Sequence, residues 1–380
     1  MARDLKRWLW LVPVLGWTGY LAGGEPAGGL RDEPGRLVLR TGQSTMVIDK
    51  EAYGAIVSLI DNAKQGELIA RDPAAVLFRL GFSDPGDPAG ELKWLTSRDA
   101  GTVAYAVEEH ASGKLARLTF QNLGGRRLKA ECTVSIGADD GNLLWQFALE
   151  GPAALILESV EYPIVVLRVP AREDDGNDAF VAGEVRGGIH PRPSRWPVGR
   201  DVGFLCQPGP LAAQFGCYYD PQCGFYCATQ DSRGCPKRLR FRRTAPGLEF
   251  GWERHCYHDL SQRFELGYGV ALTTFHSPDS TRPTDWRDAA DIYKAWALKQ
   301  PWCARTLAQR DDLPGWLKEG PAMVRFRRRH TYYQPNVRLE YHRDWYSHPD
   351  QIEAWLKGYW QKHFPEVPLI VTFWGWEQVA

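Results

Sequence analysis

The sequence predicts a mainly β protein: a large antiparallel β-sandwich over residues 30–278, a helical linker over 279–312, and the start of a parallel α/β domain over 313–380. Three observations predict it. Between Leu37 and His276, short apolar–polar alternations recur, separated by turn chemistry roughly every ten residues. No stretch there keeps helical periodicity over about ten residues. After His276 the apolar residues move to helical spacing, and the run Leu369 to Trp374 completes a strand–helix–strand order, which demands parallel pairing.

In chain order, Arg3, Lys6 and Arg7 precede an apolar run, Trp8 to Leu21, and the small residues Ala22-Gly23-Gly24. This reads as an export signal over residues 1–24, too short for a comfortable membrane span. An uncleaved signal anchor is the alternative, so the expected location is secreted or periplasmic. Strands are expected at Leu37–Leu39, Thr45–Ile48, Ala55–Leu59, Leu115–Phe120 and Leu266–Thr274. The cleanest hairpin sets Leu128, Ala130, Cys132, Val134 and Ile136 against Leu143, Trp145, Phe147 and Leu149, around Asp139-Asp140-Gly141-Asn142. Gln214 to Phe241 reads as paired hairpins. Phe215, Cys217 and Tyr219 form one strand and Phe225, Cys227 and Thr229 the next, with turns at Asp220-Pro221-Gln222 and Asp231-Ser232-Arg233-Gly234. Ala171 to Asn177 and Gly187 to Arg200, rich in Gly, Pro and charge, read as long loops.

The linker helix is carried by Trp286, Ala289, Ala290, Tyr293 and Ala297, with Thr284 or Asp285 as N-cap. A short strand is expected at Met323–Phe326. Ser347 and Asp350 form a capping-box-like start, and Ile352, Trp355, Leu356, Tyr359 and Trp360 make one apolar stripe, ended by Pro365 and Pro368. The run Leu369 to Trp374 reads as a strand buried on both faces. One such unit cannot bury both faces of its strands, so either the chain is truncated or a partner completes the sheet, and truncation within this domain is the favoured reading.

Charge is balanced, 46 basic against 46 acidic residues, which leaves no footprint for nucleic acid or an anionic membrane. The run Arg325 to Arg329 is local and reads as a solvated edge. The chain carries 16 Trp and 15 Tyr. Such faces stack on sugar rings, although core packing uses them too. Eight cysteines in an exported chain favour disulfides, and Cys217, Cys223, Cys227 and Cys235 lie close enough in sequence for two bridges of open connectivity. No C-x-x-C pair supports zinc among them. On a strand, His255 and His258 would point to opposite faces, which argues against a shared metal. No metal or cofactor is expected.

Several segments carry a family resemblance. Tyr53-Gly54-Ala55-Ile56-Val57-Ser58-Leu59-Ile60-Asp61, followed by Glu67-Leu68-Ile69, resembles an early sandwich hairpin. Tyr219-Asp220-Pro221, Cys223-Gly224-Phe225-Tyr226 and Thr229-Gln230-Asp231 resemble a Gly-aromatic-Tyr strand before a Thr-His-Asp-type turn, with Gln230 in the His place. Trp286 to Trp296 with Pro301-Trp302-Cys303 resembles a linker helix entering a barrel, and Phe373-Trp374-Gly375-Trp376 the end of a second barrel strand. Together the chain resembles bacterial glycoside-hydrolase-like proteins of domain-of-unknown-function family 6259. These join a galactose-mutarotase-like supersandwich to a (β/α)₈ barrel and are related in architecture to glycoside hydrolase family 101. The likeness implies a barrel begun over 313–380.

Glycoside hydrolysis needs two carboxylates flanking the bond, and barrels place them at the C-terminal ends of strands. The resemblance implies a pair on later strands, downstream of Ala380, so this chain offers no catalytic candidates. Trp374, Trp376 and Glu377, at a barrel-strand end, are the substrate-binding candidates; packing tryptophans beside a loop carboxylate are the competing account. Asp220 and Asp231 read as turn residues. Tyr218, Tyr219 and Tyr226 could line a sugar groove but suit sheet packing better. Glu253 and Asp259 could form a mutarotase-like acid/base pair, although sandwiches attached to glycosidases are expected to be non-catalytic. The expected function is the N-terminal part of a secreted carbohydrate-active protein acting on O-glycosidic bonds of an oligo- or polysaccharide or glycan. The alternative is a non-catalytic carbohydrate-binding or structural sandwich.

Overall fold

A computed structural model describes residues 29–83, 92–110, 113–137, 141–152, 155–170, 177–184, 188–202, 206–320, 322–327 and 353–374. They divide into two compact units, one ending at Trp296 and the other beginning at Ala297. The expected export signal lies outside the described residues. No helix among them is long and apolar enough to cross a membrane.

The first unit holds a five-stranded, a ten-stranded and a seven-stranded sheet among the described residues, all antiparallel. Period-two alternation explains them, because every second side chain on a strand faces the same way. Strands Lys129–Ile136 and Leu143–Glu150 pair with Cys132 opposite Phe147 and Val134 opposite Trp145. Ala130, Cys132, Val134, Leu143, Trp145 and Leu149 are fully buried, as the alternation predicts. Strands Leu211–Tyr219 and Gly224–Gln230 form the expected hairpin beside them. Asp220 Oδ1 accepts from the N–H groups of Gln222 (2.7 Å) and Cys223 (3.0 Å) to fix its turn. The five-stranded meander runs from Gly29–Glu33 to Gly66–Glu67. All three sheets contribute to one core, with Leu39 and Met46 from the first, Phe120 and Trp145 from the second, and Phe250 and Trp252 from the third.

Three expectations change. Gly187 to Arg200 is not all loop: Gly188–Pro191 is an edge strand pairing with Ala179–Glu184. An edge position tolerates Pro191, whose missing N–H would break an inner ladder. The cysteines are free thiols, all eight of them. Cys217 faces the outer side of the ten-stranded sheet and Cys227 the inner core, so the sheet separates them. Cys223 and Cys227 lie four residues apart on an extended chain, roughly 13 Å, against about 6 Å between the Cα atoms of a disulfide. The helix Trp286–Ala297 is also more than a connection. Ala289 is fully buried, and Trp286, Ala290, Ile292 and Tyr293 pack with it on Val181, Phe215, Cys217, Tyr226 and Phe275, covering the outer face of the ten-stranded sheet. Asp285 caps this helix, accepting from Arg287 N–H at 2.7 Å, while Asp288 accepts from Asp285 N–H at 3.0 Å.

In the second unit, Ala322–Arg327 pairs parallel with Leu369–Trp374, and residues 353–363 between them are helical. The strand–helix–strand order is therefore as the spacing predicts. Ser347, Asp350 and Ile352, the expected helix start, lie outside the described residues. Burial of the last strand on both faces is not observed, because Leu369, Ile370 and Val371 are only half-buried. Among the described residues this strand has a single neighbour, which covers one edge and neither face.

Candidate functional site

Of the three sequence-predicted binding residues, Trp374 ends its parallel strand opposite Arg327, at a strand C-terminus as expected. Trp376 and Glu377 lie outside the described residues. Tyr218 is fully buried and donates to Asp178 at 3.1 Å, and Tyr226 is buried beneath the 286–297 helix. Tyr219 packs on Phe275, so all three tyrosines serve packing. Asp231 is a turn residue as expected, accepting from the N–H groups of Arg233, Gly234 and Cys235. It also accepts from Lys237 Nζ at 2.5 Å, in a pair with neither side chain exposed.

Glu253 and Asp259 do not form an acid/base pair. They sit on one strand, Leu248–Asp259, six residues apart, or about 20 Å at strand rise. Asp259 caps a turn through Ser261 N–H. Glu253 belongs to a charged lattice on the outer face of the seven-stranded sheet. That lattice follows from the local sequence. In strand Lys237–Arg243, Leu239 and Phe241 point into the core, which puts Arg238, Arg240 and Arg242 outside. In Leu248–Asp259, Phe250 and Trp252 point inward, which puts Glu249 and Glu253 outside. The register sets Arg238 opposite Glu253 and Arg242 opposite Glu249. Arg79 joins from the far side, donating to Glu161 (3.0 Å) and Glu249 (2.9 Å).

The carboxylates of this lattice differ. Burial alone would raise Glu249 and Glu253, but Arg79 and Arg242 at the first, and Arg238 and Arg240 at the second, hold both below the ordinary carboxylate range. Glu161 goes the other way: burial raises it, with Arg79 and Arg240 offsetting only part. Its Oε1 is buried with no partner among the described residues. Glu253 also accepts from Ser159 Oγ at 3.0 Å. A carboxylate held charged by two guanidiniums is a poor proton donor, so Glu249 and Glu253 brace the sheet. This lattice was absent from the sequence reading, although alternation of Arg with Leu and Phe over 237–243 is its signal.

Beyond the lattice, strand 248–259 outruns the 237–243 strand, while Ile156–Glu161 stays paired with it to Asp259, so one edge is left open. Arg254, Cys256 and His258 there face residues of the turn after Asp231, Arg233 and Cys235, and Phe264 and Gly267 from the return. Together with His255, Tyr257 and Glu265 they line a hollow of ≈ 550 Å³. Arg254 is fixed by the Glu265 carbonyl (3.1 Å), the Leu266 carbonyl and the Phe264 ring, whose centroid lies 5.2 Å away. Arg233 donates to the Gly267 carbonyl at 2.5 Å. His255 sits on the other strand face near Glu253 (3.9 Å), apart from His258, which packs edge-on to Phe264. The strand geometry thus separates the two histidines as expected.

No protein-family model matches the chain, and no curated protein matches it in sequence. Among solved structures it is similar to the α-N-acetylgalactosaminidase NagBb from Bifidobacterium bifidum in its GalNAc complex. The TM-score is 0.58 and the identity 15%, over 92% of this chain and 51% of that one. The likeness shows a shared fold. A second NagBb structure, a Gal-NHAc-DNJ complex, is similar at a TM-score of 0.55 and 14% identity, over 78% of this chain and 45% of that one. The chain thus spans about half the length of the structures it matches.

Proposed function

We propose that this chain is the N-terminal part of a secreted or periplasmic carbohydrate-active protein, a glycoside hydrolase of the kind grouped as domain-of-unknown-function family 6259, with a mutarotase-like sandwich leading into a barrel. The observation that carries the reading is a fold match to an α-N-acetylgalactosaminidase over 92% of the chain. The parallel pair 322–327 and 369–374, with a helix between, fits the opening of such a barrel. The sandwich lattice supports a division of labour, since Glu249 and Glu253 are tied to arginines and not free for proton transfer. The hydrolytic carboxylates then belong to later barrel strands, with Trp374, Trp376 and Glu377 contacting sugar at the mouth.

The test is hydrolysis of aryl α- and β-glycosides, including the α-N-acetylgalactosaminide, by the protein purified from its native source with its whole reading frame. Turnover is expected, and it should vanish when a downstream barrel-strand carboxylate is replaced. Saccharide binding without turnover would sink the hydrolase reading and leave a non-catalytic carbohydrate-binding sandwich. Absence of both would sink the carbohydrate assignment.

A further inference from the structure

We infer that the hollow at the end of strand 248–259 binds a carboxylate-bearing sugar residue, such as a uronic acid, with Arg233 and Arg254 gripping the carboxylate. The sugar part rests on the carbohydrate reading above; the anion part stands on the geometry alone. A Cβ built on Gly267 would lie 2.7 Å from Arg233 Nη2 and 3.1 Å from Arg254 Nη1. The two guanidiniums therefore lie close together beside Gly267, where a side chain would fill the space between them. Among the described residues, neither forms an ion pair with a carboxylate; both donate to main-chain carbonyls. Arg79, Arg238, Arg240 and Arg242, by contrast, each reach a glutamate.

Of the nearby acids, Asp231 holds Lys237, while Glu265, which also lines the hollow, is exposed and turns its carboxylate to Arg263 at 3.5 Å. Cys256 adds no charge, because burial pushes its thiol up to about 11. Arg254 Nε is buried without a partner among the described residues. Two guanidiniums that close no ion pair among the described residues, one of them with an unmade buried donor, favour an anion beside them, and a planar carboxylate fits the guanidinium fork. The rest of the hollow suits a sugar ring. Tyr257, 79% exposed at the rim, offers an aromatic face to ring C–H groups, and the volume falls in the range of small-ligand sites.

Isothermal titration of the purified chain with glucuronate, glucose and acetate tests this. Glucuronate should bind about tenfold or more tighter than either, because only it offers both carboxylate and ring. R233Q, checked for folding by thermal melting, should lose about that factor for glucuronate, whereas R287Q, an exposed helix arginine, should not. Y257A should narrow the gap between glucuronate and acetate. Equal binding of glucose and glucuronate, unchanged in R233Q, would overturn the carboxylate grip and leave the carbohydrate reading standing. Acetate binding as tightly as glucuronate would overturn the acidic-sugar assignment and leave the proposed function to its own test of glycoside turnover. No binding of any of the three would overturn the inference.

Discussion

Glu161 and Glu249 share one sheet face and one arginine, yet they respond oppositely to pH. Glu249 is held below its ordinary value of 4.5, so its stabilising charge is present above that value and is lost as pH falls through the folded one. Glu161 is raised above 4.5, so the folded state loses stability as pH rises through its folded value. At about pH 7, Glu249→Gln is expected to cost about 3 kcal/mol by urea denaturation, because it leaves Arg79 and Arg242 facing a neutral group in a partly buried site. Glu161→Gln should cost less than about 1 kcal/mol at that pH, since it removes a charge whose burial is incompletely offset. The Glu249→Gln deficit should shrink toward about pH 3. Equal costs for the two variants at neutral pH would contradict the lattice as described.

At the scale of elements, the helix Trp286–Ala297 is held by its sheet-facing side. Phe215 stacks on Tyr293 with centroids 5.3 Å apart, and Ala289 leaves no room beneath it. Ala289→Leu is therefore expected to lower stability by about 1–3 kcal/mol, whereas exposed Ala295→Leu should change it by less than about 0.5 kcal/mol. Thermal melts of both variants read this difference. Elements with a strong local period were legible in advance. The hairpin of 129–136 with 143–150 needed only its alternation, and the helix only its 3.6-residue spacing. What alternation cannot show is which strand lies next to which. Gly188–Pro191 looked like loop because its glycine and proline disfavour strand, and only pairing with Ala179–Glu184 makes it one. The same limit hid the hollow, whose Arg233 and Arg254 meet because a turn folds back over a strand end.

The whole molecule decides the cysteines. Spacing within Cys217 to Cys235 suggested bridges, but the sheet puts Cys217 and Cys227 on opposite sides. Thiol titration of the unreduced protein in denaturant should find all 8 cysteines reactive, and the native protein should shield Cys132, Cys217, Cys223 and Cys227, the buried four. A deficit of two or four in denaturant would restore the disulfide expectation. The N-terminal meander is tied in by partners far along the chain. Gln43 Nε2 meets His276 Nδ1 at 2.8 Å across 233 residues, Asp61 meets the same nitrogen at 3.0 Å, and Ser44 Oγ meets Thr273 Oγ1 at 3.3 Å. On the ribosome, the first strands to emerge thus wait for nearly the last of their unit. Until residue 276 clears the exit tunnel, Gln43, Ser44 and Asp61 have only their partners within the meander, and its ties to strand 269–275 and His276 must wait.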